Sequence, residues 1–312
     1  MDLFDTKNIK PMLLSEIHEP FDSPDYIFEL KLDGIRCIIY NDENNIEIRN
    51  KRNMRLNSTY PELMDIHKQI KKRCILDGEI VLMNNGKPDF FELQKRSIMS
   101  NRTKIEFAAS KLPVCFSAFD ILYINNEQIT NKPLMDRKEI LNGAVIESEK
   151  MAVSRYIPNT GITLYNLTVD QELEGIVAKR KDSKYFIDKT TKEWVKIKNL
   201  LDDDFVICGY ILKPNNIVSL ILGAYDNGNL INQGHVILGI SGNTFNKIKE
   251  VKKINIPQFE DAEENQIIWI EPKLVCTVQY MMRTRTYGLR QPVFKGLRDD
   301  KAPEDCIVHI KK

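Results

Sequence analysis

The chain has 312 residues, 42% hydrophobic and 29% charged, with 45 basic against 44 acidic side chains and a formal net charge of +1. That supplies enough apolar material for one large or two ordinary globular cores, and the average charge gives no support for nucleic-acid binding. No run approaches the roughly 20 apolar residues that span a bilayer, and the N-terminal MDLFDTKNIK lacks the basic-then-apolar pattern of a secretory signal, so a cytoplasmic chain is expected.

Taken in order, residues 26–33 alternate as a strand, with Tyr26, Phe28, Leu30 and Leu32 on one face and Ile27, Glu29, Lys31 and Asp33 on the other. CIIY continues extended, NDENN reads as a turn and IEIRN returns, a predicted hairpin. PELMDIHKQIKK starts on a proline and spaces Leu63, Ile66 and Ile70 as a helix does. CILDGEIVLM reads as a strand interrupted at Asp-Gly, PDFFELQKRSI as a helix, VCFSAFDILYI as a buried strand and PLMDRKEILNGAVIES as a helix. GIVAKR and EWVKIK are strands, the second with Trp194, Lys196 and Lys198 on one face. After NLLDDD only short strands and turns follow, which suits a small β-barrel, so domains are predicted at 1–201 and 202–312.

Four isolated histidines argue against a histidine metal site or a Ser-His-Asp triad, and six scattered cysteines without a C-x-x-C pair read as buried thiols. The basic runs at 51–55, 71–73, 95–104 and 283–290 each read as a solvated face. Only in company with a phosphate chemistry do they become candidate backbone contacts. Lys31 poses the sharper question. Set between apolar neighbours and followed by Asp-Gly, it is either a salt-bridge anchor, with Asp33 as the obvious partner, or a nucleophile.

The chain places ELKLDGIR, IRN at 48–50, LDGEI at 76–80, FDILY at 119–123, LEGIVAKR at 173–180, WVKIK at 194–198 and, after WIEP, LRQPVFKGLRDDK at 289–301. In this order the series resembles the motifs of the covalent nucleotidyltransferases, above all the ATP-dependent DNA ligases, with the ligase domain of bacterial ligase D as the closest likeness. The resemblance runs from Pro11 to Lys301. A lone K-x-D-G is weak; seven segments in order are not, and the last one favours a DNA ligase over the capping enzymes. The implied fold is α+β: an adenylation domain of antiparallel sheets with flanking helices, followed by an OB-fold barrel.

The same resemblance implies the roles. Lys31 attacks the α-phosphorus of ATP and carries AMP, with its proton disfavoured by Lys196 and Lys198, which also bind the α-phosphate. Glu29 takes a hydrogen bond from adenine's exocyclic amine, Phe119 stacks on the base, Arg36 and Arg49 serve the ribose and phosphate, and Glu79 the ribose hydroxyls. Glu174 holds a divalent cation, Mg²⁺ or Mn²⁺. Arg298 and Lys301, with Asp300 in the same segment and Arg290 sharing the work, orient the pyrophosphate. Bland alternatives stand beside these: Phe119 as a core aromatic, Glu174 paired with Lys179 or Arg180, and GLRDDK as a charged surface turn.

The implied activity is sealing of 5′-phosphate/3′-hydroxyl breaks in nicked or broken duplex DNA, in repair or end joining, by a nucleoid-associated monomer. A Ku-like end-binding partner follows from the resemblance alone. The 30 residues before Lys31 are too few for the helical DNA-binding domain of large cellular ligases. Neither a polymerase nor a phosphoesterase region, nor the cysteine cluster of NAD-dependent ligases, is present in this sequence. The competing readings are an RNA ligase, a capping-type guanylyltransferase and an inactive nucleic-acid-binding relative.

Overall fold

The computed structural model describes residues 2–259, 266–284 and 288–308. Contacts divide the chain into two compact units, Met1–Asn199 and Leu200–Lys312. Among the described residues no helix is long and apolar enough to cross a membrane.

The first unit carries two sheets. One is built from Leu13–Ile17, Thr190–Lys198, Gly175–Arg180, Ser23–Leu30 and Tyr156–Asn159, hydrogen-bonded in that order. Its strand pairs are antiparallel except Leu13–Ile17 with Thr190–Lys198, which is parallel. The other runs from Ile46–Asn50 through Ile35–Asn41 and Cys74–Asn84 to Val114–Ile124, with short strands at its edge. Ile27 and Trp194 of the first sheet share a buried cluster with Ile38, Ile75 and Leu122 of the second. The neighbouring positions Phe28, Ile176 and Val195 point the other way, onto Leu164 and Tyr165 of the helix Gly161–Asp170. The predicted strand over 26–33 ends at Leu30, so Lys31 and Asp33 lie beyond it; within 26–30 the alternation holds, with Ile27 and Phe28 buried on opposite faces.

Local structure follows and corrects the sequence. The predicted helix at 61 is a 3₁₀ helix, Pro61–Gln69. Asp-Gly does not interrupt the strand Cys74–Asn84; it marks an irregularity in its pairing with Val114–Ile124. The basic run at 95–104 straddles two helices, Phe90–Ser97 and Arg102–Lys111, the second capped by Asn101. The predicted helix at 133–148 stops at Ala144, where the extended backbone of Val145 ends it.

The second unit is a five-stranded antiparallel sheet ordered Asn229–Val236, Ile217–Asp226, Leu201–Lys213, Ile268–Tyr280, Val293–Arg298. Parallel bridges Leu238↔Val293 and Tyr225↔Ile307 draw its edges around. Asn227 and Gly228 both have positive φ at the Asp-Asn-Gly turn, as a tight hairpin requires. Two strands of 13 residues and the helix Gly242–Lys249 correct the expectation of short strands alone. Arg285, in the basic run at 283–290, lies outside the described residues.

Candidate active site

A cleft in the first unit, with an empty volume of about 460 Å³, is lined by Glu29, Lys31, Arg36, Glu79 and Phe119 together with Val177, Lys179 and Trp194. Sheet register accounts for much of this. Glu16, Lys196, Val177, Glu29 and Tyr156 form one transverse row across five strands. Two residues further along, Lys198 stands opposite Gly175, whose carbonyl accepts the Lys31 backbone N–H at 2.9 Å. Gly175 sits at φ +127°, where a Cβ would come within 2.1 Å of the Ile197 carbonyl oxygen. Only glycine fits there.

The Lys31 ammonium lies 2.6 Å from Oε1 of Glu174. Glu174 thus engages the candidate nucleophile, while Lys179 pairs with Glu29 and Arg180 with Asp182. Glu29 is buried and flanked by two buried lysines: Lys138 contacts Oε1, and Lys179 donates to Oε2 at 2.9 Å. Ser154 donates to the same Oε2 at 3.1 Å. Burial pushes the Glu29 carboxyl up, but the two lysines pull it below the ordinary range. Lys179 in turn is brought down to about 8 by burial and by Lys138, against the pull of Glu29. Its ammonium stands 4.3 Å from the Phe119 ring centre and 4.2 Å from that of Trp194.

Arg36 forks onto the buried Asp77 with contacts of 3.1 and 2.7 Å and lies over Phe119 at 5.2 Å. Asp77 also accepts the Tyr185 hydroxyl at 2.6 Å, so both edges of its carboxylate are committed. Burial, with smaller contributions from Glu174 and Asp77, outweighs the opposing charges of Lys31 and Arg36 and raises Glu79 to about 8. Lys196 and Lys198 share one acceptor, Oε2 of Glu16, at 3.0 and 3.3 Å.

Arg49 is absent from the cleft wall and donates to Glu47 at 2.5 Å and to the Asn53 carbonyl at 3.0 Å. Three of the expected groups belong to the second unit. There Arg298 forks onto Asp300 and reaches Asp204 at 3.3 Å, Lys301 donates to Asp204 at 2.9 Å, and the Arg290 backbone accepts from Met281 N–H and donates to the Met282 carbonyl. Sequence reasoning passed over Glu16, Asp77, Lys138, Ser154 and Asp204. Each is a polar residue in an otherwise apolar or like-charged stretch, a signal that acquires a meaning only once its partner strand is known.

A two-sheet domain that brings a lysine, its carboxylate partner and further lysines to one cleft, followed by an OB-fold-type domain, defines a nucleotidyltransferase. The family models agree: residues 10–198 match the ATP dependent DNA ligase domain and residues 213–301 the ATP dependent DNA ligase C terminal region. The chain belongs to the ATP-dependent DNA ligases. It is 31% identical over 291 residues to the SPbeta prophage-derived DNA ligase-like protein LigB of Bacillus subtilis, covering 93% of this chain and 99% of that one. The multifunctional non-homologous end joining DNA repair protein LigD of Mycobacterium tuberculosis is 26% identical over 98% of this chain, which spans only 40% of that protein. The structure of mycobacterial DNA ligase D complexed with ATP and MES superposes with a TM-score of 0.57 at 26% identity, covering 97% of this chain and 99% of that one.

Proposed function

We propose that this ATP-dependent DNA ligase works through an AMP carried on Lys31 and seals 5′-phosphate/3′-hydroxyl breaks in duplex DNA during repair or end joining. The observation that supports this best is the Lys31 ammonium, held 2.6 Å from Glu174 in the wall of a cleft that also presents Glu29, Phe119 and Val177.

An ammonium has no lone pair, so Lys31 must shed a proton before attack. Nζ of Lys31 then forms a bond to the α-phosphorus while the bond to pyrophosphate breaks, and pyrophosphate leaves with the electron pair. An oxygen of the DNA 5′-phosphate next attacks the α-phosphorus and breaks its bond to Nζ of Lys31, and a 3′-hydroxyl, losing its proton, finally attacks the 5′-phosphorus and expels AMP to close the backbone. Phe119 and Val177 offer an aromatic and an aliphatic surface for the base, and Glu29, kept ionised by two lysines, accepts from the exocyclic amine. Arg36 and Glu79 are placed here with the ribose, and Arg49, Arg290, Arg298 and Lys301 with phosphate groups.

Glu174, with Glu79 in its electrostatic neighbourhood, fits a Mg²⁺ or Mn²⁺ site. Such ions are commonly held by one or two carboxylates plus substrate phosphates rather than by a protein cage. When bound, the ion supplies charge neutralisation on the triphosphate.

The deciding assay incubates nicked, cohesive-ended and blunt-ended duplexes with the chain, ATP and Mg²⁺, with and without a Ku-like protein. Sealing of nicks by a monomer, and stimulation of end joining by the partner, are expected. Failure to seal any duplex contradicts the activity; indifference to the partner removes the end-joining assignment.

A further inference from the structure

The one carboxylate in direct contact with Lys196 and Lys198 among the ion pairs described above is Glu16, from the edge strand Leu13–Ile17. A single oxygen, Oε2, faces both ammoniums at 3.0 and 3.3 Å. The partners are neither sealed in nor free in water: side-chain exposure is 33% for Glu16, 26% for Lys196 and 18% for Lys198. One anionic oxygen bridging two lysines is the arrangement that a phosphate oxygen would make with the same pair.

Resting on the nucleotidyltransferase reading above, we propose that Glu16 is a built-in phosphate surrogate that competes with the nucleotide's phosphates for Lys196 and Lys198. Backbone pairing on both sides fixes the strand Thr190–Lys198, so Glu16 contributes little to where the two lysines start. What it contributes is charge. Arriving phosphate either displaces the carboxylate or shares the lysines with it a few ångströms away, and in both geometries two anions oppose each other. The competition weakens binding of the free nucleotide and of pyrophosphate, and it gives the lysines a partner when no phosphate is bound. Burial pushes the Glu16 carboxyl up, but the two lysines more than offset it and hold the group below its ordinary range, which agrees with a carboxylate that stays charged at neutral pH.

The test is equilibrium binding of ATP and of adenosine to the full chain carrying Lys31→Ala, which blocks covalent capture, with and without Glu16→Gln. Glu16→Thr, a residue suited to a strand, serves as a second replacement in case the amide perturbs folding. Removing two partly exposed ion pairs should tighten ATP about threefold to tenfold and leave adenosine, which has no phosphate, unchanged. ATP binding that is unchanged or weakened in both variants overturns the proposal, as does equal tightening of adenosine. If ATP fails to bind the Lys31→Ala chain at all, the nucleotide site itself falls, and this inference with it.

Discussion

Glu29→Gln separates the base-reading role of the cleft from its structural one. Glu29 is 3% exposed and faces Lys138 and Lys179, 1% and 2% exposed. Neutralising it leaves two buried ammoniums with no countercharge from this residue, and breaking a buried pair in this way costs about 3–5 kcal/mol. In a unit of this size each kcal/mol moves the midpoint by about 2–4 °C, so the first unit should melt roughly 6–20 °C lower at pH 7. The loss should shrink at pH 9, because Lys179, already at about 8, sheds its charge there. Adenylation should fall with ATP more than with GTP, because the acceptor for the exocyclic amine is weakened. Circular-dichroism melts at the two pH values, paired with initial adenylation rates for both nucleotides, give the answer. A midpoint change under about 2 °C, or an equal loss at pH 7 and 9, would refute the coupling of Glu29 to its two lysines.

Glu79 carries a pH signature. Its folded-state pKa, about 8 against 4.5, means the native chain binds the extra proton between those values. Its contribution to stability is therefore fully present below about 4.5 and is lost as pH rises towards 8. Glu79→Gln should accordingly raise the melting midpoint relative to wild type more at pH 8 than at pH 5; a constant difference would argue against the raised pKa. Gly175→Ala, forced into a positive-φ position with a 2.1 Å contact, should destabilise by roughly 1–3 kcal/mol and also slow adenylation, since the Gly175 carbonyl holds the Lys31 backbone; urea titration and label transfer read the two effects. Lys196→Met and Lys198→Met should each slow adenylation about 10²-fold with a small change in melting, measured by single-turnover kinetics. Asp204→Asn releases Lys301 and one arm of Arg298 at a partly exposed site, so less than about 1 kcal/mol of stability should go, as seen in denaturant unfolding.

The strand around Lys31 was legible because alternation survives in 26–30, and the Asn-Asp turn between Ile35–Asn41 and Ile46–Asn50 because turn residues interrupt two apolar runs. The helix Gly161–Asp170 was not. GITLYNLTVD has no side-chain cap and is rich in β-branched residues, and it is helical because Leu164 and Tyr165 pack on the sheet. The 3₁₀ form of Pro61–Gln69 is likewise a packing outcome that helical spacing cannot separate from an α-helix. At the site, residues inside recognisable segments were found, whereas their counterions were not. Glu16 is opposite Lys196 only through a parallel pairing across about 180 residues, and Lys138 reaches Glu29 from a helix more than a hundred residues away in the chain, whose Arg137 pairs with Asp120. Ion pairs of that sequence separation leave no local pattern.

The central claim is that Lys31 is the nucleophile, and label transfer tests it most directly. Purified chain shown to be free of bound AMP is mixed with Mg²⁺ and α-phosphate-labelled ATP or GTP, without DNA, beside Lys31→Ala, and resolved on a denaturing gel. The expected result is a labelled band from ATP that disappears in the variant. A band that persists without Lys31, or no band from wild-type protein, would contradict the account.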